Sequence, residues 1–387
     1  MAAGSKSDLF APYVKVESAD YVDVVPKTGR FSKHENYWLL VWRKFRRSIT
    51  GMIGLFLVGL LTAFVIFGDF ISPVDPKQPN ISYAPPDPVS FFSKDGFSLR
   101  PVTFATNESG ELDPVTFQPI TAPDYDNPRL IKFFIEGYPY KLFGIIPMNT
   151  HLFGTGDGKP LHLIGTDKFG RDIFSRGVVG SRISLMIALT CVFFITVIGT
   201  LVGIAAGYLG GRFDRWSQAV VEVVLAFPQL PLYLTLATLI PVTAPTSLFL
   251  TFVVMVIALL GWAQLAREIR GKTMALARIE YVRAAQAVGA DDWRIIWRHI
   301  LPNVMSHVIV AVTLGIPSVV LLESFLGFLG FAVKPPLISW GLMLQDTQSF
   351  SVIGTYPWIL APVGFVLLAV FAFNALGDGL RDAIDPY

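Results

Sequence analysis

IEYVRAAQAVGADDWRIIWRHILPN, residues 279–303, decides how the rest of the chain is read. Tyr281, Ala284, Ala285 and Val288 recur at i, i+3, i+4 and i+7, which is one face of a helix. Glu280, Arg283 and Gln286 fall off that face. Gly289 stops the helix, as glycine does after a last periodic turn. A shorter amphipathic run follows, with Trp293, Ile296 and Trp297 on one side. Pro302 is expected to end it, because proline is not tolerated in a helix interior. The adjacent Ala284 and Ala285 leave room for another protein surface to approach.

On both sides of this segment lie stretches long and apolar enough to cross a bilayer, for which about 20 residues suffice. Composition agrees: hydrophobic residues are 52% of the chain and charged residues 16%. The single cysteine, Cys191, sits in an apolar run, so no intrachain disulfide can form and a buried apolar role is expected. No signal peptide is apparent, and the first span reads as an uncleaved anchor.

Residues 1–48 read as a cytoplasmic tail followed by an interfacial helix, YWLLVWRKFRR at 37–47, aromatic and then basic. Residues 49–70 form the first span. Residues 71–178 are polar, rich in proline and glycine, yet too aromatic for a disordered loop, and read as a small extracytoplasmic subdomain. Within it, KFFIEGYPYKLFGII at 132–146 suits strands or a hairpin. The core, 179–387, holds five more spans, at about 183–208, 218–242, 247–265, 304–326 and 356–376. Gly199, Gly203, Gly207 and Gly211 recur every four residues, a ridge suited to close helix packing.

The expected fold is therefore all-α and polytopic, with six transmembrane helices, both termini cytoplasmic and an insert between the first two helices. The short loops assigned to the inside carry ten lysines and arginines and those assigned outside carry one, which sets this orientation.

Acidic residues inside spans mark functional positions by default. Glu222 and Glu323 qualify, and two readings stay open: both line a translocation path, or Glu222 only snorkels at the cytoplasmic interface. Gln229, between Pro228 and Pro231, is a pore-facing candidate where the helix ladder breaks. No phosphate-binding loop is present. Gly154-Thr155-Gly156-Asp157-Gly158-Lys159 has the wrong spacing, and Pro160 follows the lysine. The five histidines show no metal-ligand spacing, and no catalytic constellation appears.

Glu280-Tyr281-Val282, Ala284-Ala285, Gly289 and His299-Ile300-Leu301-Pro302-Asn303 together resemble the "EAA" cytoplasmic loop of bacterial ABC importer permeases, in the oligopeptide/dipeptide/nickel form. One departure is that Arg283 stands where the motif has its first acidic residue, with Glu280 three positions earlier. Gly165-Thr166-Asp167 and Gly170-Arg171-Asp172 resemble the family's GTD..GRD signature before its second span. Asp167 is expected to cap that helix, with Arg171 and Asp172 in local ion pairs. The ending Arg381-Asp382-Ala383-Ile384-Asp385-Pro386 resembles its RDxxDP tail. The likeness spans roughly 40–70 and 160–387.

The resemblance implies a permease of the bacterial cytoplasmic (inner) membrane and no enzymatic activity in this chain. It implies coupling to an ATPase through Glu280, Arg283, Ala284, Ala285, Gly289, Leu301 and Pro302. The implied partners are a second homologous permease, two ATP-binding subunits that hold ATP and Mg, an extracytoplasmic substrate-binding protein and membrane lipid, with no nucleic acid. Peptides are the family default, although relatives carry nickel, opines, sugars or antibiotics. The competing reading is an ion-coupled secondary transporter, which would want carboxylates at mid-membrane and inverted repeats.

Overall fold

The computed structural model describes residues 37–384 apart from 94–95, 113, 115–118, 242 and 332. The tail at 1–36 and Asp385-Pro386 of the terminal motif lie outside the described residues.

α1, Tyr37–Phe45, is a helix, with Trp38 and Trp42 exposed and Val41 and Phe45 buried. Ser48 caps α2, Ile49–Ile71, by accepting from the Gly51 amide. After α2 comes the insert, which is built of strands, so the all-α description holds for the membrane core alone. β1 (Val89–Ser93), β2 (Gly96–Thr103) and β5 (Arg129–Leu130) form one antiparallel sheet, and β3 (Thr106–Leu112) pairs with β4 (Pro119–Pro123). β6 (Lys132–Leu142) and β7 (Ile146–Gly154) form a hairpin whose first strand and turn lie in the stretch 132–146 and whose second strand runs beyond it.

α3 runs Ile173–Leu209, 37 residues, about 55 Å at 1.5 Å per residue. That exceeds the roughly 30 Å hydrocarbon core, so the helix starts ten residues before the apolar window that marks its span. Its start corrects the expected cap. Asp172, not Asp167, accepts from the Ser175 amide at 2.7 Å. Asp167 instead closes the preceding turn, accepting from the Phe169 and Arg171 amides and pairing with the Arg171 guanidinium. Asp172 also meets His162 Nδ1 at 2.9 Å. Gly170 has φ +74 with its Cα pressed on the Asn80 backbone, so only glycine fits.

α4 (Gly211–Ala226) and α5 (Gln229–Ala237) replace the expected single third span, bent by 81° at Phe227-Pro228. Pro228 fixes φ and removes a donor, and Phe227 turns extended to accommodate it. Among the described residues, five helices are long and apolar enough to cross a membrane, and the bent pair makes up to six.

α6 (Thr246–Leu276) continues eleven residues past the expected span end at 265. α7 (Glu280–Ala287) ends at Val288-Gly289, where Gly289 takes φ +89. α8 (Asp292–Ile295), capped by Asp291, passes through a π turn (Ile296–Ile300) directly into α9 (Leu301–Phe328). Pro302 therefore does not end a helix. The wider turn lets the Leu301 amide reach the Ile296 carbonyl and absorbs the donor that proline lacks. α10 (Trp340–Leu344), α11 (Phe350–Thr355) and α12 (Ala361–Ile384) complete the core.

The core packs around α3. Gly199, Gly203 and Gly207 face α6, and a Cβ at Gly203 would lie 2.7 Å from the Ala266 carbonyl oxygen and from Ile269 Cβ. Bulk on this ridge is excluded. Gly54 brings α2 against the Leu376 backbone of α12 in the same way. Cys191 is buried among Ile187, Ala188 and Val320.

Candidate functional site

Two features stand out, a presented apolar surface at 279–303 and a cavity above it. The surface is built by splitting each short helix into an anchor and a display. Val282, Ile295 and Ile300 are fully buried in a cluster with Leu265 and Ile269 of α6, Ile204 of α3 and Val304 of α9. Their burial contributes on the order of 1.5–3 kcal/mol each and fixes the segment to the core. The other sides face outward: Val288 is 90% exposed, Trp293 67%, Trp297 48% and Tyr281 42%. The face read from periodicity is thus the displayed one, and Val282 is the buried anchor. Trp293 and Trp297 rings meet edge to face at 5.4 Å.

Of the seven coupling candidates, Glu280, Arg283, Ala284, Gly289 and Pro302 are exposed, while Ala285 and Leu301 are half-buried. Nothing lies within 4 Å of a Cβ on Gly289, so its left-handed backbone and not its size demands glycine there.

Polar links hold the angle between α7 and α8. The Tyr208 hydroxyl at the end of α3 donates to Asp292 at 2.8 Å and accepts from Gln286 at 3.4 Å. The Asn303 side-chain amide donates to the His299 carbonyl at 2.6 Å and to the Tyr281 hydroxyl at 3.2 Å. Tyr208 was invisible from sequence, where it reads only as the last residue of a span. Arg270 of α6 makes a two-pronged pair with Asp214 of α4.

The cavity, about 1500 Å³, lies between α5, α6 and α9. Gln264, Glu268 and Lys272 line it from α6 at four-residue spacing, one helix stripe. Asn303, Ser306 and His307 face them from α9, and Gln229 and Tyr233 come from α5. Glu268 accepts from the Gln264 amide at 2.9 Å and lies 3.2 Å from His307 Nε2. The polar end is the one nearest 279–303; Val310, Leu314, Leu322 and Phe325 make the other end apolar.

The path candidates are divided by this geometry. Gln229 lines the cavity. Glu222 is exposed and not among the lining residues, because Val221 takes the face buried against Trp262 and Ala266. Glu323 is fully buried and also outside the lining, with its carboxylate accepting from the Ser184 hydroxyl at 3.1 Å beneath α10. Glu268 was passed over because the fourth span was expected to end at 265, and His307, inside the expected fifth span at 304–326, was weighed only as a metal ligand.

Residues 199–387 match the family described as "Binding-protein-dependent transport system inner membrane component", and residues 36–86 match the "N-terminal TM domain of oligopeptide transport permease C". The chain is 39% identical over 226 residues to the oligopeptide transport system permease protein OppC of Bacillus subtilis (strain 168), covering 58% of this chain and 72% of that one. It is 39% identical to OppC of Haemophilus influenzae over 226 residues, covering 58% of this chain and 70% of that one. It is 37% identical to the dipeptide permease protein DppC of Bacillus subtilis over 225 residues, 58% of this chain and 68% of that one. Among solved structures, the inward-facing MetNI methionine ABC transporter aligns at a TM-score of 0.44 and 20% identity, over 54% of this chain and 95% of that one. With its glycine-turned segment at 279–303 and its apolar helices, the chain belongs to the binding-protein-dependent inner-membrane transport components, among the oligopeptide/dipeptide ABC permeases.

Proposed function

We propose that this chain is one of two permease subunits of an ATP-driven importer that moves a peptide or similar small polar solute. The observation that carries the reading is the apolar surface of Tyr281, Val288, Trp293 and Trp297, exposed on one side and anchored from behind by Val282, Ile295 and Ile300. Exposed aromatic residues of this kind serve as anchors in protein interfaces. An ATPase subunit holding ATP and Mg docks there, and hydrolysis belongs to that subunit. Both termini lie in the cytoplasm, the strand-rich insert lies outside, and a binding protein delivers solute from that side.

The mechanism follows from connectivity. Closure of the ATPase dimer pushes on α7 and α8. Asp292, Gln286 and Tyr208 tie those helices to α3, and α8 continues into α9 without a free joint. The push therefore shifts α3 and α9 against α6 and α5, opening the cavity on one side of the membrane and closing it on the other. Gln229, Gln264, Glu268 and His307 offer donors and acceptors to a polar solute at the cytoplasmic end. Glu323, sealed under α10, is assigned a structural role.

The test is co-purification of the ATPase and ATP-dependent uptake in vesicles with Gly289→Val. A β-branched residue resists φ > 0, so the angle between α7 and α8 changes while the membrane core stays intact. Loss of ATPase association or uptake from an inserted chain supports the importer. Uptake that persists without any ATPase even in the unaltered protein overturns it in favour of an ion-coupled carrier.

A further inference from the structure

The hairpin β6–β7 lies across the C-terminal end of α2. Phe134 packs on Phe70 at 6.3 Å between ring centres, and Phe143, in the turn, packs edge-on to Phe67 at 6.2 Å. Between them the Tyr138 hydroxyl donates to the Asp69 carbonyl at 3.3 Å, and His151 Nδ1 lies 2.8 Å from the same oxygen. Phe67 stands four residues inside the end of α2, about 6 Å below it at the helical rise. The turn is therefore held at the depth of the bilayer's interfacial layer, where amphipathic elements bury about 5–10 Å.

The turn's own residues fit that depth. In Leu142–Ile146 the side chains of Phe143, Ile145 and Ile146 are exposed, Ile145 by 80%. Phe143 adopts φ +55, a left-handed conformation that bulky residues avoid and that glycine or asparagine would fill without strain. An aromatic ring kept at such a point needs a compensating environment. Lys141, also exposed, adjoins the turn and can reach headgroup phosphates while its stem covers apolar surface. The patch is continuous with the outer face of α2, where Met52, Phe56 and Phe67 are exposed on one side of a helix of mean hydropathy 2.4, a face that lipid covers in a membrane.

We infer that the β6–β7 turn is a membrane anchor: Phe143, Ile145 and Ile146 insert at the headgroup–acyl boundary of the leaflet at the C-terminal end of α2, and Lys141 meets lipid phosphate. The anchor pins the insert against the bilayer beside α2.

The experiment places a nitroxide at Ile145→Cys in the full importer complex reconstituted in lipid vesicles, with Cys191→Ala removing the buried native thiol. A second label at Leu99→Cys, on the exposed side of β2, is the aqueous reference. At residue 145 dissolved oxygen should relax the label several-fold more than a water-soluble nickel chelate does, and at residue 99 the order should reverse. Nickel accessibility at 145 equal to that at 99 overturns the anchor, because the turn is then in water. Access to neither reagent overturns it as well, because protein then covers the turn. If the labelled chain does not assemble, Phe143→Trp in vesicles of brominated lipid decides: quenching of the added fluorescence supports insertion, and its absence overturns it.

Discussion

The Ser184 hydroxyl of α3 stands between two groups, donating to the Glu323 carboxylate at 3.1 Å and accepting from the Trp340 amide at 3.0 Å. One oxygen thus joins α3, α9 and the start of α10, and Gly341 is packed so closely that a Cβ there would lie 2.9 Å from Glu323 Oε1. Removing Ser184 takes a hydrogen bond from both the Glu323 carboxylate and the Trp340 amide, and removing Glu323 leaves the buried Ser184 hydroxyl without its acceptor. Glu323→Ala and Ser184→Ala should each destabilise the solubilised protein by about 1–3 kcal/mol, read as a lower melting temperature in detergent. Glu323→Gln, which keeps an acceptor, should lose less and retain uptake. Loss of uptake in Glu323→Gln with an unchanged melting temperature would instead place the carboxylate in the transport step.

The glycine ridge gives a sharper steric expectation. Gly203→Leu must push α3 away from the Ala266 carbonyl and Ile269 of α6, and backbone cannot give way as a side-chain tip does. Overpacking costs typically about 1–3 kcal/mol, and the backbone contact puts this variant at the upper end. The yield of folded protein after detergent extraction should fall. Gly59→Leu, where nothing lies within 4 Å, is the control and should extract normally.

On the proposed docking surface, Trp293→Ala and Val288→Asp change exposed side chains and should leave the melting temperature unchanged. A central interface anchor is worth about 2 kcal/mol or more, which is roughly a 30-fold loss of affinity for the ATPase subunit. A pull-down titration measures it. Val282→Asp, at the buried anchor, should by contrast unfold the segment.

In the cavity, Glu268 is held by Gln264 and His307 from opposite walls. Glu268→Gln should preserve folding and ATPase association yet alter uptake of solutes according to their charge. Equal uptake of cationic, neutral and anionic peptides by variant and parent would remove this carboxylate from the path.

In the insert, burial alone would raise the Asp157 carboxyl. The Thr155 hydroxyl at 2.6 Å, the Lys159 amide at 3.1 Å and Arg129 outweigh it and hold the group below the usual carboxylate value. A carboxyl depressed in the folded state stabilises above its unfolded pKa and loses that contribution as pH falls through the folded one. Amide protection in the 154–160 loop, corrected for the intrinsic pH dependence of exchange, should therefore fall below about pH 4, and Asp157→Asn should show the lower protection already at neutral pH.

How much of this was readable in advance depended on whether a residue's role is local. Gly289 announces its turn because only glycine takes φ +89 without strain, and the four-residue glycine spacing announces a helix contact. The mixed run at 132–146 suited strands or a hairpin and holds β6 and its turn, while the second strand, to Gly154, was not marked. Features set by distant contacts were not legible. The eleven extra residues of α6 look like a polar loop until Gly203, Gly207 and Asp214 are seen to receive them. Glu323 looks like a pore carboxylate until α10 folds over it. Asp167 and Asp172 are equally good caps in sequence, and only the bridge between Thr166 and Asp172 and the contact with His162 decide between them. Pro302 reads as a stop because a π turn leaves no periodic mark.

That π turn has a mechanical meaning. From Asp292 to Phe328 the chain is one continuous helical run of 37 residues, about 55 Å along its path, with Pro317 inside it. A lever of that length turns a tilt of about 5° at the Trp293 end into about 5 Å of travel at Phe328, the thickness of a side chain. A flexible hinge at Pro302 would dissipate the stroke. In the proposed importer, a π turn with its proline already accommodated would instead pass the push on toward Phe328.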